Sequence, residues 1–203
     1  MELTRWLGKR YGFGINSRNR DGQRFYKVSP AYATKYIWAY ADESTGHEIG
    51  RLGLRELEGF KGTARFVARE GKVAADFIWN DLLLLIVSER VLRLFRDHKI
   101  KGYSLYRVAV TRDSEIISGY HGIAITGRGG PNDPKASAGG LMPGTKIKKV
   151  KGLFPTKWDG CDLFTLDDFP RAAPATERVK EIFEKNKVTN CKFRPAEEFQ
   201  IGY

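Results

Sequence analysis

A chain of 203 residues can bury a full hydrophobic core, either as one large domain or as two small ones. Its composition, 41% apolar and 12% aromatic, excludes a disordered chain, and no apolar run approaches the roughly 20 residues that span a bilayer. The net charge of +11 favours a partner that is acidic or carries phosphates, and it says nothing about the fold.

The first part of the chain predicts a β-rich segment. Residues 8–22 are rich in Gly, Asn and Arg and indicate a loop, whereas residues 41–63 carry only weak signals. Strands are predicted, in chain order, over residues 23–28, 35–40, 64–67 and 73–79. The last two flank Glu70-Gly71, which predicts a hairpin between them.

The most informative feature of the chain is an internal repeat with a constant offset of 88 residues. The run Ser88-Glu89-Arg90-Val91 recurs as Thr176-Glu177-Arg178-Val179, and Leu94-Phe95 recurs as Ile182-Phe183. In both copies apolar residues fall at i, i+4, i+7 and i+8, which predicts a helix with a single buried stripe.

The flanks of the two predicted helices also match. Ser88 and Thr176 suit the N-cap, and Gly102 and Asn190 suit the left-handed turn out of each helix. Each copy follows a Trp and an Asp-Leu pair, namely Trp79 with Asp81-Leu82 and Trp158 with Asp162-Leu163. We therefore predict two strand–helix–strand units in one shared sheet, because each unit alone is too small to cover its apolar face.

Between the copies, residues 103–111 and 118–126 predict adjacent strands joined at Asp113-Ser114, and residues 127–152 predict a long Gly/Pro/Lys-rich loop. The predicted class is α+β, with duplicated strand–helix–strand units on a mixed or antiparallel sheet and an N-terminal β-rich segment. The predicted parts of this one compact domain are the N-terminal segment 1–80, the first unit 81–126, the connector 127–157 and the second unit 158–203.

The motifs do not predict an enzyme. Gly139 and Gly144 have the spacing of a P-loop, but Thr145-Lys146 follows in reversed order and no strand precedes them. His47 lacks the second histidine of a zinc-protease motif, and no Gly-x-Ser-x-Gly elbow occurs. His121 could act as a base, although a structural or surface histidine is the commoner case. We predict no catalytic residue, no cofactor and no bound metal.

The predicted functional surface is basic and aromatic. Arginine beside exposed aromatic side chains either forms the hot spots of a protein interface or holds phosphates and stacks on bases. The N-terminal segment concentrates such residues, and the loop at 127–140 is a further candidate. The predicted partner-binding residues are Arg18, Arg20, Arg24, Tyr26, Trp38, Tyr40, His121 and Arg128.

The second copy carries a family resemblance. The run from Trp158 to Phe164, followed by Ala175-Thr176-Glu177-Arg178-Val179 and a closing strand, resembles the C-terminal signature of the double-CXXCG family. That family includes immunity proteins linked to myxobacterial swarm-inhibition toxins and is similar to a broader group of polymorphic-toxin immunity proteins. The two Cys-x-x-Cys pairs that name it are missing from residues 127–157, so its zinc site is not expected here.

The resemblance implies an immunity protein that binds a cognate bacterial toxin domain and occludes its active site. A basic inhibitor suits an acidic toxin face, such as that of an NAD-consuming transferase. A nucleic-acid-binding accessory domain is the alternative, because the same charge would neutralise phosphates. The start of the chain has no hydrophobic signal core, and Cys161 and Cys191 are its two cysteines, so we expect a cytoplasmic protein without membrane contact.

Overall fold

The computed structural model describes residues 23–50, 52–141 and 148–202. Its strands are β1 (Phe25–Ser29), β2 (Trp38–Ala41), β3 (Thr63–Glu70), β4 (Phe77–Asn80), β5 (Leu85–Ser88), β6 (Tyr103–Arg112), β7 (Glu115–Ile116), β8 (Tyr120–Ile125), β9 (Gly127–Arg128), β10 (Ala138–Leu141), β11 (Lys148–Lys151), β12 (Phe164–Thr165), β13 (Pro174–Thr176), β14 (Lys192–Pro195) and β15 (Gln200–Gly202). The helices are α1 (Glu43–Ile49), α2 (Glu89–Asp97) and α3 (Glu177–Lys185), with 3₁₀ turns at Glu56–Gly59 and Ala196–Glu198. These elements confirm the predicted α+β class.

Six strands close into a barrel in the order β3-β2-β4-β5-β8-β6, because β3 pairs with both β2 and β6. The β2–β4 and β3–β6 pairs are parallel, and the other four pairs are antiparallel. On β3 the buried residues Ala64, Phe66 and Ala68 alternate with exposed ones, so one face of the strand turns into the core.

The predicted hairpin between residues 64 and 79 is wrong. β3 and β4 do not pair with each other, since β2 lies between them and bonds to both. The adjacent strands after the first helix are confirmed, because β6 pairs with β8 and turns into β7 at Asp113-Ser114. The predicted loop at 127–152 is also only partly a loop, since β9, β10 and β11 lie within it.

The second unit forms a separate sheet of three strands in the order β13-β1-β14. The prediction that both units share one sheet is therefore wrong. β1, from the N-terminal segment, lies antiparallel between β13 and β14, as β8 lies between β5 and β6 in the first unit. Each unit is thus a strand–helix–strand crossover whose two strands are bridged by a middle strand. In the first unit the middle strand, β8, follows the crossover in the chain, and in the second unit the middle strand, β1, precedes it.

The two units meet through their helices instead of through a sheet. Phe95 of α2 and Phe183 of α3 occupy equivalent places in the repeat, and their rings stack with centroids 5.8 Å apart and an interplanar angle of 14°. One hydrophobic cluster includes both rings, the apolar faces of both helices and the barrel interior. Helix packing therefore buries the faces that a shared sheet was expected to cover.

Each unit contains one arginine–aspartate pair. Arg90 Nη1 lies 2.6 Å from Asp76 Oδ2, and Arg178 Nη1 lies 2.9 Å from Asp162 Oδ2. The sequence alignment placed Asp81 opposite Asp162, and this placement is wrong, because Asp81 instead accepts from the backbone N–H of Ala41. Contact geometry, rather than distance from the preceding tryptophan, identifies Asp76 as the counterpart of Asp162.

These arginines also join the two units reciprocally. The second terminal nitrogen of Arg90 donates to the carbonyl of Asn186, at the end of α3. The corresponding nitrogen of Arg178 donates to the carbonyl of His98, at the end of α2. Each unit therefore places a positive charge at the negative end of the other unit's helix, which is an approximate two-fold arrangement.

The predicted N-caps differ in detail. Ser88 Oγ accepts from the backbone N–H of Val91 at 3.4 Å, as expected for a cap. Thr176 makes no such bond, although its hydroxyl donates to Asp162 Oδ1 at 3.3 Å as Ser88 Oγ donates to Asp76 Oδ1 at 3.0 Å. The helix begins at the same place in both copies, since both cap residues have extended backbone.

The left-handed turns after the helices lie earlier than predicted. They occur at Lys99 and Lys187, with φ of 50° and 52°, directly after the residues that end each helix. Gly102 and Asn190 also have positive φ, of 94° and 56°, but they lead into the next strand. Within the described residues, no helix is both long and apolar enough to cross a membrane.

Candidate partner-binding surface

The outer face of the barrel at β2, β3 and β6 carries arginine together with aromatic and aliphatic side chains. We call this face the arginine wall. Its residues are Trp38, Tyr40, Arg65, Val67, Arg69, Leu105 and Arg107. Apolar side chains on the wall are well exposed, with Val67 at 37% and Leu105 at 48%.

Strand geometry places these side chains on one face. Arg65, Val67 and Arg69 alternate along β3 with residues that turn into the core, so all three point outward. Tyr40 is the register partner of Val67 across the β2–β3 pair, and paired residues lie on the same side of a sheet. On the other flank, Arg107 pairs with Thr63 across the parallel β3–β6 ladder.

Tyr40 lies at the centre of a polar group on the wall. The Arg69 guanidinium carbon is 5.4 Å from the centre of the Tyr40 ring, a cation–π contact. The Tyr40 hydroxyl donates to Glu70 Oε1, and this hydrogen bond raises the pKa of Tyr40 above its ordinary value. The ring is therefore held in place by contacts at its face and at its hydroxyl.

The arginines of the wall are not neutralised by ion pairs. Within the part of the chain that the structure describes, no carboxylate lies within 4.0 Å of the guanidinium of Arg65, Arg69 or Arg107. Arg107 instead donates to the carbonyl of Lys61. The wall therefore presents positive charge that an acidic partner could pair with.

An acidic depression borders the wall beside α1. It is lined by Asp42, Glu43, His47 and Asp81 among others. Burial alone would raise the pKa of Asp42, but hydrogen bonds from the backbone and hydroxyl of Thr45 and from Ser44, with the charge of Arg65, lower it. Asp42 caps α1, and its carboxylate therefore serves the fold.

An exposed aromatic residue, Tyr32, extends the wall. Tyr32 is 67% exposed and lies parallel to Trp38, with ring centroids 6.5 Å apart and an interplanar angle of 21°. Its φ of 53° is in the left-handed region, which is uncommon for a bulky residue. The chain thus presents this ring to solvent beside the predicted interface residue Trp38.

On the wall the structure brings together two of the predicted interface residues, Trp38 and Tyr40. Elsewhere, Arg24 lies beside Tyr26. Tyr26 and His121 take equivalent positions in the two units, each beside the first glutamate of a helix. Tyr26 is buried and its hydroxyl donates to Glu177 at 3.1 Å, while His121 Nε2 lies 3.0 Å from Glu89 Oε2. Both side chains therefore support the helix starts, away from the wall.

The remaining predicted residues are separate from this group. Arg24 is exposed next to β1, and Arg128 is exposed on β9, where its backbone N–H donates to Asp159 Oδ2 at 2.7 Å. Arg18 and Arg20 lie outside the described residues.

Sequence reasoning missed the arginines of the wall. Arg65 and Arg69 stand four residues apart on either side of three apolar residues, but the strand was predicted to end at residue 67. A longer strand would have shown Arg65 and Arg69 on one face. Arg107 could be added only with the β3–β6 pairing, which joins segments more than 40 residues apart.

Metal-binding groups and reactive cysteines are two other kinds of candidate site. Within the described ranges, no group of three or more His, Cys, Asp or Glu residues could hold a metal ion. Burial, with a hydrogen bond to Asp159, raises the pKa of Cys161 to about 11, and burial raises the pKa of Cys191 as well. Both thiols are therefore protonated at neutral pH. They are unreactive in this form, because the reactive form of cysteine is the thiolate.

No known protein family matches this chain. No curated protein matches it either. The resemblance to toxin immunity proteins therefore remains a prediction from the sequence.

Proposed function

We propose that this chain is an immunity protein that neutralises a cognate bacterial toxin domain by docking the arginine wall onto an acidic face around the toxin's active site. The observation that carries this proposal is the set of exposed wall arginines without ion pairs, interleaved with exposed aliphatic side chains and half-buried aromatic ones. Arginine, tryptophan and tyrosine are the residues enriched at the energetic centres of protein interfaces.

The composition of the wall favours a protein partner over nucleic acid. Val67 and Leu105 would lose exposed apolar surface on docking, which stabilises a protein complex but contributes little against a phosphate backbone. A nucleic-acid-binding role is accordingly the alternative hypothesis, and the salt dependence of nucleic-acid binding distinguishes it from protein binding.

The choice of a toxin as partner rests on the sequence resemblance. Arg178, in the run that carries this resemblance, makes contacts inside the scaffold, and so does its repeat Arg90. In a family of inhibitors with different targets, the scaffold contacts would be shared and the docking surface would differ. The proposed interface therefore lies outside the repeated motif, on the wall.

The test is co-expression of this chain with the toxic domain encoded beside it, followed by co-purification. We expect rescue of growth and a stoichiometric complex with the unaltered chain. Charge reversal of the wall by R65E, R69E and R107E together is expected to abolish rescue, because like charges across an interface cost several kcal/mol. A matched control, R93E with K135E and K157E, makes the same change in net charge at exposed sites elsewhere and should retain rescue.

Several outcomes would contradict the proposal. Rescue without a complex would indicate an enzyme that reverses the toxin's damage. Equal loss of rescue in the wall variant and the control would indicate a general charge effect. Binding of the purified chain to labelled duplex or single-stranded nucleic acid, with a loss of about a thousandfold or more between roughly 50 and 200 mM salt, would establish the nucleic-acid reading.

A further inference from the structure

A second basic site lies between the sheet of the second unit and the barrel. It is a cavity of about 90 Å³, and three basic residues, Lys27, Arg171 and Arg194, are among those that line it. Much of the remaining lining is aromatic or aliphatic and includes Tyr32, Trp79, Leu83 and Leu85. No acidic residue is among the described residues that line the cavity. Because a water molecule takes about 30 Å³, the cavity has room for a group the size of a carboxylate or a phosphate.

Two of the cations lie directly opposite each other in the sheet. Lys27 of β1 and Arg194 of β14 are register partners, and like charges in such pairs are destabilising. Burial, with the charge of Arg194, lowers the pKa of Lys27 to about 8. The Lys27 ammonium faces the Phe199 ring at 4.1 Å, and neither cation forms an ion pair within the described part of the chain.

Arg171 adds a third charge that is already held in place. Its guanidinium donates to the backbone carbonyls of Leu82 and Gly50, which fix its position without neutralising it. A guanidinium carries five N–H donors, so donors remain after these two bonds. The positive charge of the cavity is thus partly preorganised.

The first unit provides an internal comparison. Gly122 and Tyr106 of that unit correspond to Lys27 and Arg194, because each pair occupies the same register in the two sheets. In the first unit this face is closed core: the Tyr106 ring is 5% exposed, and a Cβ on Gly122 would lie 2.3 Å from a ring atom of Tyr106. In the second unit the same face opens into the basic cavity.

We propose that this cavity is a binding site for a small oxyanion, either a phosphate or a carboxylate group, held by Lys27, Arg171 and Arg194. An anion between Lys27 and Arg194 replaces their repulsion with two charge-assisted contacts. The apolar side chains of the cavity exclude water and strengthen these contacts. None of these three basic residues belongs to the arginine wall, although Tyr32, which extends the wall, also lines the cavity.

The test is a calorimetric titration of the full chain at neutral pH and physiological salt with inorganic phosphate, and separately with acetate. We expect one bound anion per chain. Stronger binding of phosphate would identify a phosphoryl ligand, and stronger binding of acetate would identify a carboxylate. K27M and R194Q are each expected to weaken binding by about tenfold or more, because each removes a charge-assisted contact.

K157M is the matched control, because it removes one exposed charge outside the cavity and should leave affinity unchanged. Thermal unfolding gives a second readout: the anion is expected to raise the Tm of the unaltered chain and not that of K27M. Without anion, K27M should unfold at the same or a higher temperature than the unaltered chain, since it removes the repulsion. The absence of binding at millimolar phosphate and acetate, or equal weakening in K157M, would each overturn the proposal.

Discussion

Asp76 shows how much of the fold depends on single buried carboxylates. It is 7% exposed and accepts hydrogen bonds from Arg90 at 2.6 Å, from Ser88 at 3.0 Å and from the N–H and hydroxyl of Thr189 at 2.9 Å. Burial alone would raise the pKa of Asp76, but these bonds outweigh burial and lower it below its ordinary value. The carboxylate joins the first unit to the chain that follows α3.

The change D76N is expected to lower the free energy of unfolding by about 2–4 kcal/mol at neutral pH, because an amide leaves donors without an acceptor. A carboxylate with a lowered folded pKa stabilises the fold fully above the unfolded pKa, and this stability is lost as pH falls through the folded value. D76N should therefore also flatten the acid side of the stability profile. Urea unfolding across acidic and neutral pH measures both effects.

The control is D97N, at an exposed position near the end of α2. It should change the free energy of unfolding by less than about 0.5 kcal/mol. Equal stability of D76N and the unaltered chain at neutral pH would show that the Asp76 network contributes nothing.

The packing of α2 on α3 is one of the contacts that hold the two units together. Phe95 and Phe183 stack at equivalent positions, and each is 3% exposed. F95A and F183A are each expected to lower the free energy of unfolding by about 3–5 kcal/mol. Because the rings touch, the double variant should lose about 0.5–1.5 kcal/mol less than the sum of the two single variants.

The control is a second double-mutant cycle that combines F95A with F164A. Phe164 belongs to a separate hydrophobic cluster with Leu153, Leu166 and Phe169. The effects of F95A and F164A should add to within about 0.5 kcal/mol. Urea unfolding of both cycles tests this expectation, and full additivity for Phe95 with Phe183 would show that the helices are not coupled through their rings.

At the scale of the whole molecule, β1 joins distant parts of the chain. It is the middle strand of the second unit, and the Val28 side chain belongs to the hydrophobic cluster shared with the barrel. The backbone N–H of Val28 donates to the carbonyl of Ala173 at 3.1 Å. Loss of this strand would expose the apolar faces of the second unit and of its neighbours together.

V28P removes that N–H from a central strand and is expected to lower the free energy of unfolding by at least about 3 kcal/mol more than V28A, which removes only side-chain volume. We also expect the unaltered chain to unfold in one transition. Circular dichroism and tryptophan fluorescence should report the same midpoint. Two separate transitions, or equal stability of V28P and V28A, would show that β1 does not couple the units.

The sequence by itself determined the duplicated helices and the strands around them. The stripe from Val91 to Phe95 and its copy from Val179 to Phe183 depend on spacing within a few turns, so local pattern is enough. The same holds for β6 and β8 with their turn at Asp113-Ser114. Of the candidate interface, the sequence identified Trp38 and Tyr40, which lie in an aromatic strand.

Only the tertiary structure decided which strands pair and which surfaces result. The insertion of β1 between β13 and β14 joins residues about 150 apart, and no local pattern encodes such a partner. The counterpart of Asp162 was misplaced at Asp81 because its role is defined by contacts with distant backbone. The arginine wall and the basic cavity likewise need pairings between remote strands, since a side chain's neighbours across a sheet are set by register and closure rather than by chain position.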